Sequence, residues 1–126
     1  MALETLKNIT AIGDAKVLAE RPKKEDGSID WELFDEQRKV APIYIDQDVN
    51  MISFRLQKGP IQEVGINGCQ IDTMIEAARL IIKGLNEKFS CDENEQAMRC
   101  LSIALHFLKI RTLDRKKRNV EGKDEK

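Results

Sequence analysis

The spacing of apolar residues in the C-terminal half constrains the fold of this chain more than any other feature. Between Ile71 and Lys88 apolar side chains recur every three or four residues, which is the period of an amphipathic helix. A second apolar stretch with the same period follows Ser90 and ends in a group of basic residues. Two helices joined by so short a link are expected to run antiparallel. The sequence therefore predicts a helical hairpin over residues 68–119.

The second predicted helix has a defined start and a wide apolar surface. Ser90 and Glu93 have the spacing of a capping box, in which Ser90 is the N-cap residue and Glu93 reaches back to it. Ile103, Phe107 and Ile110 extend the apolar stripe onto a second face of this helix. So wide a surface predicts burial against more than one neighbour. One neighbour is the first helix, and the other is the N-terminal sheet or a second subunit.

The N-terminal part, residues 1–67, is predicted to be rich in β-structure. The clearest strand is Met51–Gln57, where apolar and polar side chains alternate. Pro42 lies inside the run Val40–Asp46 and predicts a position towards the edge of the sheet for that strand, because proline cannot donate a hydrogen bond to a neighbouring strand. Strands are predicted over 14–20, 40–46, 51–57 and 61–66, and an extended conformation over 29–39. The predicted fold class is α+β, an N-terminal antiparallel β-sheet packed with a C-terminal antiparallel two-helix hairpin.

Length and composition indicate one small domain that associates with copies of itself. The chain has 126 residues, so we expect a single domain over residues 1–126 with a mobile tail at 120–126. Charged residues make up 34% of the chain and aromatic residues 5%, which leaves few large side chains for a core. Small chains of this kind commonly gain stability from added support. We therefore predict a homo-oligomer.

Cysteine usage and hydropathy favour a reduced intracellular protein. Cys69, Cys91 and Cys100 are odd in number and form no C-x-x-C pair, so they are predicted to be structural or free thiols. The sequence contains no signal peptide and no apolar run long enough to cross a membrane. One histidine and scattered cysteines do not make a zinc-binding set. The sequence predicts no metal and no cofactor.

The chain also lacks the residue sets of catalysis. It contains no P-loop, no G-x-G-x-x-G and no H-E-x-x-H motif. Any catalytic triad would need His106, which lies among apolar neighbours in the second helix and is predicted to be packed. The carboxylate pairs have no spacing that marks an acid and base couple. The sequence therefore predicts a binding protein and not an enzyme.

Positive charge is concentrated at the end of the second helix. Residues 109–126 carry a net charge of +4 and the remainder −5, which together give −1. A localised basic patch on an acidic body favours a compact anion over a long polyanion. The alternative is a solvated helix end whose cations complement the helix dipole.

The basic cluster has the chemistry of a phosphate site. Arg111, Arg115 and Arg118 follow i, i+4, i+7 spacing and share one helix face, with Asp114 placed to orient an arginine. A guanidinium grips a phosphate with two hydrogen bonds or stacks on a base. Asn94 opens the same helix, about 25 Å from Arg111 at 1.5 Å per residue. If both residues serve one site, a second copy of the helix must lie antiparallel beside the first.

Three sequence runs resemble a known family. They are Q-K-G-P-I-Q-E-V-G-I-N-G-C-Q at residues 57–70, F-S-C-D-E-N at 89–94, and R-T-L-D-R-K-K-R-N-V-E-G-K at 111–123. In combination they resemble the first described family of Thoeris anti-defence proteins, which are small phage proteins. The resemblance covers the chain from residue 57 to residue 123.

The resemblance implies a homo-oligomeric sponge, a homodimer or a homohexamer built as a trimer of dimers, in the host bacterial cytoplasm. Proteins of this family bind the cyclic ADP-ribose isomer made by bacterial TIR-domain enzymes and hold it without degrading it. Their pockets lie at subunit interfaces, and some members also take up cyclic oligonucleotides, the cyclic di- and trinucleotides, at separate sites. The alternative is a nucleic-acid-binding or structural phage protein that uses the same basic helix end.

The resemblance also implies which residues bind the signal. Asn94, Arg111 and Arg115 are candidates for direct contact, and Phe89 either stacks on the adenine or belongs to the core. Asp92 is a departure, because relatives have arginine there. The complete predicted signal site is Phe89, Asn94, Met98, Arg111, Asp114, Arg115 and Arg118.

A second nucleotide site is predicted in the loop on the sheet side. Its candidate residues are Arg55, Lys58, Gly59 and Pro60. A plain hairpin turn is the alternative interpretation of this segment.

Overall fold

The fold class predicted from the sequence is confirmed. A computed structural model describes Leu6, residues 9–13 and residues 15–117 of the chain, and these form an N-terminal sheet and a C-terminal pair of packed helices. The elements are β1 (Ala11–Ile12), β2 (Ala15–Leu18), α1 (Trp31–Val40), β3 (Ile43–Asp46), β4 (Met51–Phe54), α2 (Ile61–Val64), α3 (Ile71–Lys88) and α4 (Asp92–Lys117).

The described strands form a sheet in the order β1-β2-β3-β4. The pairs β1–β2 and β3–β4 are antiparallel, as expected, but β2 and β3 run parallel. The parallel pair arises because a helix, α1, connects β2 to β3 and returns the chain to the same end of the sheet. The described sheet is therefore mixed, with one crossover connection.

The extended conformation predicted for residues 29–39 is wrong, since most of this segment is α1. The carboxylate of Asp30 accepts a hydrogen bond from Leu33 N at 3.1 Å and caps the first turn. Glu32 in the first turn and basic residues in the last turn complement the helix dipole. Pro42 disfavours a helical conformation at the preceding residue, so the helix ends at Val40. The N-cap residue Asp30 was therefore a better guide to this segment than its mixed periodicity.

Pro42 does not place β3 at an edge, and that expectation is wrong. It lies one residue before β3, which is an interior strand with Ile43 and Ile45 buried. The carbonyl of Pro42 accepts from Arg55 N at 2.8 Å, but proline has no N–H to return. Cys69 N donates to the carbonyl of Arg55 instead, at 2.7 Å. The segment that leads into α3 therefore continues the hydrogen bonding that Pro42 interrupts.

The hydrophobic core lies between one face of the sheet and α3. Buried residues from β1, β3 and α3 meet there, with half-buried residues of β4 and α3 around them. The fully packed centre is small, as the low aromatic content predicts. Its buried members among the described residues are Leu6, Ile12, Ile43, Ile45 and Ala77.

The opposite face of the sheet packs against α1 through an aromatic cluster. Phe34 is buried, and its ring lies 5.7 Å from that of Tyr44. The guanidinium of Arg21 lies 5.6 Å from the Trp31 ring and 3.3 Å from a carboxylate oxygen of Asp46. Its interactions with Tyr44 and Asp46 raise the pKa of Arg21 further above its ordinary value. These contacts attach α1 to the sheet.

The strand predicted over residues 61–66 is wrong, because the chain forms the single turn α2 there. Pro60 provides the N-cap and its carbonyl accepts from Val64 N at 3.0 Å. Gly65 follows with φ of 75°, a conformation that favours glycine and ends the turn. Gly59 and Pro60 on one side and Gly65 on the other bracket these four residues, which favours a turn over a strand. Only the isolated bridge between Leu56 and Cys69 is sheet-like in this region.

Gly68 is required by a close backbone approach. A Cβ at this position would lie 2.5 Å from Arg55 O and 2.7 Å from Leu56 O. Gly68→Ala is therefore expected to lower the free energy of unfolding by about 1–3 kcal/mol. Urea unfolding followed by circular dichroism would measure the change. Gly13→Ala is the control: Gly13 has φ of 58° but open space around it, so only a backbone penalty of about 1–2 kcal/mol is expected.

Candidate ligand site on the longest helix

α4 is one uninterrupted helix of 26 residues, which makes it about 39 Å long. It begins at Asp92, so Cys91 and not Ser90 precedes its first residue, and the predicted capping box is wrong by one position. Cys91 O accepts from Glu95 N at 3.3 Å, and Cys91 N donates to the side-chain oxygen of Asn86 at 3.1 Å. The turn is thus stabilised from the end of α3, which the local sequence does not reveal.

Two opposite faces of α4 are apolar, and only one of them packs within the chain. Half-buried positions recur with the helical period and lie towards α3, the antiparallel neighbour predicted from the sequence. On the other side lies an exposed apolar stripe, in which Phe107 is 64% exposed. The second neighbour expected from the sequence is not found among the described residues. The apolar stripe consists of Ile103, Phe107, Ile110 and Leu113.

The start of α4 brings three predicted site residues together. Asn94 is half-buried and its side-chain amide donates to Phe89 O at 3.3 Å. Phe89 is 54% exposed, so it does not belong to the core of the described chain, and its ring is available for stacking. Met98 lies one turn beyond Asn94 on the same side of the helix. These three residues are the amide end of α4.

The other end of α4 carries the predicted cations. Arg111 and Arg115 are one turn apart and share a side of the helix, and Asp114 lies between them. Arg111 and Asp114 are exposed, whereas Arg115 is half-buried and its Nε is shielded from solvent. Arg118 lies outside the described residues. Arg111, Asp114 and Arg115 form the basic end of α4.

The structure does not bring the two ends together within one chain. Because α4 is continuous, 17 helical steps separate Asn94 from Arg111, or about 25 Å. The basic end provides charge for an anion, and the amide end provides a ring and an amide for a base. A cavity of about 1200 Å³ lies at the C-terminal ends of β2 and β3, and none of the predicted site residues lines it.

The predicted second site lies in a loop that is more than a hairpin turn. The side-chain amide of Gln57 donates to Gly65 O at 2.8 Å, and its oxygen accepts from Asn67 N at 2.9 Å. The side chain of Asn67 bonds to both backbone groups of Lys58, at 2.8 and 2.7 Å. Gly59 has φ of 86° and faces Val64. Two reciprocal amide bridges therefore close the segment 57–67, which we term the bridged loop.

Sequence reasoning missed the two amides that close the bridged loop. The side chains of Lys58 and Arg55 are exposed near it. The glycines of the motif in residues 57–70 have structural reasons, namely positive φ at Gly59 and Gly65 and close approach at Gly68. A signal was available, because glutamine and asparagine bracket a Gly-Pro turn at both ends.

Other reactive side chains form no recognisable centre in the described part of the chain. No group of three histidine, cysteine or acidic residues there is arranged to hold a metal ion. His106 is exposed, with its ring 6.0 Å from that of Phe107, so the packed histidine predicted from the sequence is wrong. Burial raises the pKa of the Cys69 thiol, while Cys91 and Cys100 are exposed. None of the described helices has the length and apolarity to span a membrane.

The chain is similar to a phage protein. The chain is 36% identical over 80 residues to Thoeris anti-defense 1 of Bacillus phage SBSphiJ7. The match covers 60% of this chain and 54% of that protein, so the chain spans about half the length of the relative it matches. No protein-family model matches the chain.

The bridged loop should depend on Asn67. Asn67→Ala removes the acceptor of the Lys58 amide, so the hydrogen exchange of that amide is expected to accelerate more than tenfold, as for loss of about 1.4 kcal/mol of protection. Exchange measured residue by residue with NMR would test this. Gln70→Ala is the control, since Gln70 is exposed and its side chain makes no cap hydrogen bond. An unchanged Lys58 rate would show that the amide bridge does not hold the loop.

Proposed function

We propose that this protein counters the Thoeris defence of bacteria by sequestering a cyclic ADP-ribose isomer without degrading it. The similarity to Thoeris anti-defense 1 supports a role against that system. The chemistry of the two ends of α4 supports the more specific part of the proposal. The cyclic signal contains a diphosphate, riboses and an adenine, which require cations and a flat or amide-bearing surface.

The observation that carries the proposal is the separation of two complementary ends on one helix, with an exposed apolar stripe between them. A second copy of α4 laid antiparallel against the first would bring the amide end of each chain to the basic end of the other. The midpoint between Asn94 and Arg111 falls at Ser102–Ile103, and Ile103 belongs to the apolar stripe. A two-fold axis there would cover exposed apolar surface and create two equal pockets.

The charges along α4 favour the same arrangement. Its first turn is acidic, with Asp92, Glu93 and Glu95, and its last turn is basic. In an antiparallel pair the acidic turn of each copy lies near the basic turn of the other, whereas a parallel pair would place like charges together. Asp92 adds to the acidic turn and so favours antiparallel association.

The proposed pocket would bind and retain its ligand. Arg111 and Arg115 would neutralise the diphosphate, Asn94 would bond the adenine edge, and Phe89 would stack on the ring. A sponge must compete with the sensor of the defence system, for which nanomolar affinity, about −12 kcal/mol, is required. A pocket enclosed by two subunits can reach this value more readily than one exposed helix.

The wider expectations from the resemblance stay predictions. These are a larger assembly of dimers, and uptake of cyclic oligonucleotides near Arg55, Lys58, Gly59 and Pro60. The bridged loop gives that second location a rigid backbone, which favours a preorganised surface over a mobile turn.

Arg111→Ala and Arg115→Ala should each weaken signal binding by about 30-fold or more, because each removes a charge-assisted contact worth about 2 kcal/mol. Isothermal titration calorimetry with the cyclic ADP-ribose isomer would measure this. Lys109→Ala is the matched control, since it removes the same charge from an exposed position on the other side of the helix. Unchanged affinity in both arginine variants would overturn the site.

The purified protein also allows sequestration to be distinguished from an enzymatic function and from nucleic-acid binding. Ligand released intact by heating the complex supports sequestration, whereas a processed product indicates an enzyme. Duplex DNA that binds tightly with a steep salt dependence would favour the nucleic-acid-binding alternative.

Mixing Asn94→Ala and Arg111→Ala proteins should restore binding that neither has alone. In a mixed dimer one pocket combines both substitutions and the other has neither, so about a quarter of all pockets should be intact after random exchange. Signal bound per subunit, measured by native mass spectrometry, would report this. Mixed dimers that form and still bind no signal would exclude a pocket shared between subunits.

A further inference from the structure

We propose that Asn86, in the last turn of α3, is a positioning residue for the signal pocket. It fixes the backbone of the link between α3 and α4, residues 89–91, from which the ring of Phe89 projects, and it does not itself contact the signal. The inference rests on the proposed function, because it assigns Asn86 a part in binding the same signal.

The first and last residues of the link are each bonded to both helices. Phe89 N donates to a carbonyl in the last turn of α3 at 2.9 Å, and Phe89 O accepts from the side-chain amide of Asn94 in α4 at 3.3 Å. Cys91 N donates to the side-chain oxygen of Asn86 at 3.1 Å, and Cys91 O accepts from an N–H in the first turn of α4 at 3.3 Å. Each of the two residues thus bonds α3 through its N–H and α4 through its carbonyl.

Only two of these four hydrogen bonds depend on the identity of a side chain. The other two join backbone groups, which every residue except proline provides in full. The link 89–91 contains no glycine, and Phe89 at the end of α3 has φ of −136°. Its conformation is therefore not set by the left-handed glycine that commonly ends a helix. The two amide side chains, Asn86 and Asn94, hold the link instead, and we term them the link clamp.

The geometry of the amide end of α4 depends on the link clamp. Phe89 is 54% exposed, so the direction of its ring follows from its backbone and not from packing in the core. One N–H of the Asn94 amide is used by Phe89 O, which orients the remaining N–H and the oxygen of that amide. A displacement of the link would therefore move the stacking ring and turn the amide together.

Asn86 allows positioning to be tested separately from ligand contact. It belongs to α3, it is half-buried, and its side-chain oxygen is bonded to Cys91 N. Asn94 is the other member of the link clamp, but in the proposed pocket it also bonds the adenine. Removal of Asn86 therefore loosens the link without removing a proposed contact to the signal.

Asn86→Ala should weaken signal binding about tenfold, because groups that contact a ligand must be held in place by their surroundings. Isothermal titration calorimetry with the cyclic ADP-ribose isomer would measure the affinity, and circular dichroism would establish that each variant is folded. Exchange of the Cys91 amide in the free protein should accelerate in the same variant. Ser90→Ala is the matched control, since Ser90 lies exposed in the same link and is not part of the link clamp. It should bind the signal as the unaltered protein does.

Two further variants distinguish positioning from a general loss of structure. Asn86→Asp should bind the signal within about threefold of the unaltered protein, because a carboxylate oxygen accepts the same hydrogen bond from Cys91 N. In a protein that already carries Phe89→Leu, Asn86→Ala should weaken binding by less than about threefold, since the ring that it positions is gone. In an Arg111→Ala protein the full tenfold effect should persist.

Unchanged affinity in Asn86→Ala, in an experiment where the unaltered protein binds the signal, would overturn the positioning role and leave the proposed function intact. Equal effects of Asn86→Ala in the Phe89→Leu and Arg111→Ala proteins would also overturn it. So would a loss of binding in Asn86→Asp as large as in Asn86→Ala while the Cys91 amide stays protected. An unaltered protein that binds no signal would overturn the proposed function, and the role of Asn86 with it.

Discussion

Backbone hydrogen bonding around Cys69 joins the two halves of the fold. Pro42 leaves Arg55 without a donor on β3, and Cys69 N supplies one at 2.7 Å while its carbonyl accepts from Gln57. Gly68 permits the approach because any side chain would overlap Arg55 O. The direction in which α3 leaves the sheet, and with it the position of α4, follows from this junction. The bridged loop connects the two segments that pair at this junction, residues 55–57 and Cys69. The side-chain amides of Gln57 and Asn67 hold the loop closed.

The small core explains why apolar surface remains outside it. Its centre consists of a few aliphatic residues between the sheet and α3, and α4 packs mainly against α3 and contributes no residue to that centre. α4 therefore has one face against α3 and a second apolar face exposed. Surface of this kind commonly marks a site of association. A helix with apolar surface on two sides and opposite charges at its two ends is suited to antiparallel pairing, on which the proposed pocket depends.

The helical hairpin and the strands with strong signals were predictable from sequence, whereas elements fixed by distant contacts were not. α3 has a regular apolar period and an acidic first turn, and its bounds match the prediction. α1 has mixed periodicity, and only the cap at Asp30 and the aromatic packing of Phe34 identify it as a helix. α4 begins one residue late because Asn86, on the preceding helix, bonds Cys91. In the site, periodicity correctly grouped Arg111 with Arg115. The bridge between Gln57 and Asn67 was missed, although amide side chains that bracket a Gly-Pro turn were a signal for it.

Because α4 is continuous, it fixes both the distance between residues at its two ends and the relative direction of their side chains. Each residue added or removed between Asn94 and Arg111 changes their separation by about 1.5 Å and rotates one end against the other by about 100°. Such an indel would therefore misalign both pockets of a symmetric pair at once. Insertions of seven residues, close to two full turns, would restore the direction of the side chains but lengthen the span by about 10 Å. If α4 pairs as proposed, the number of residues between Asn94 and Arg111 is itself part of the binding site, and substitutions should be tolerated there better than insertions or deletions.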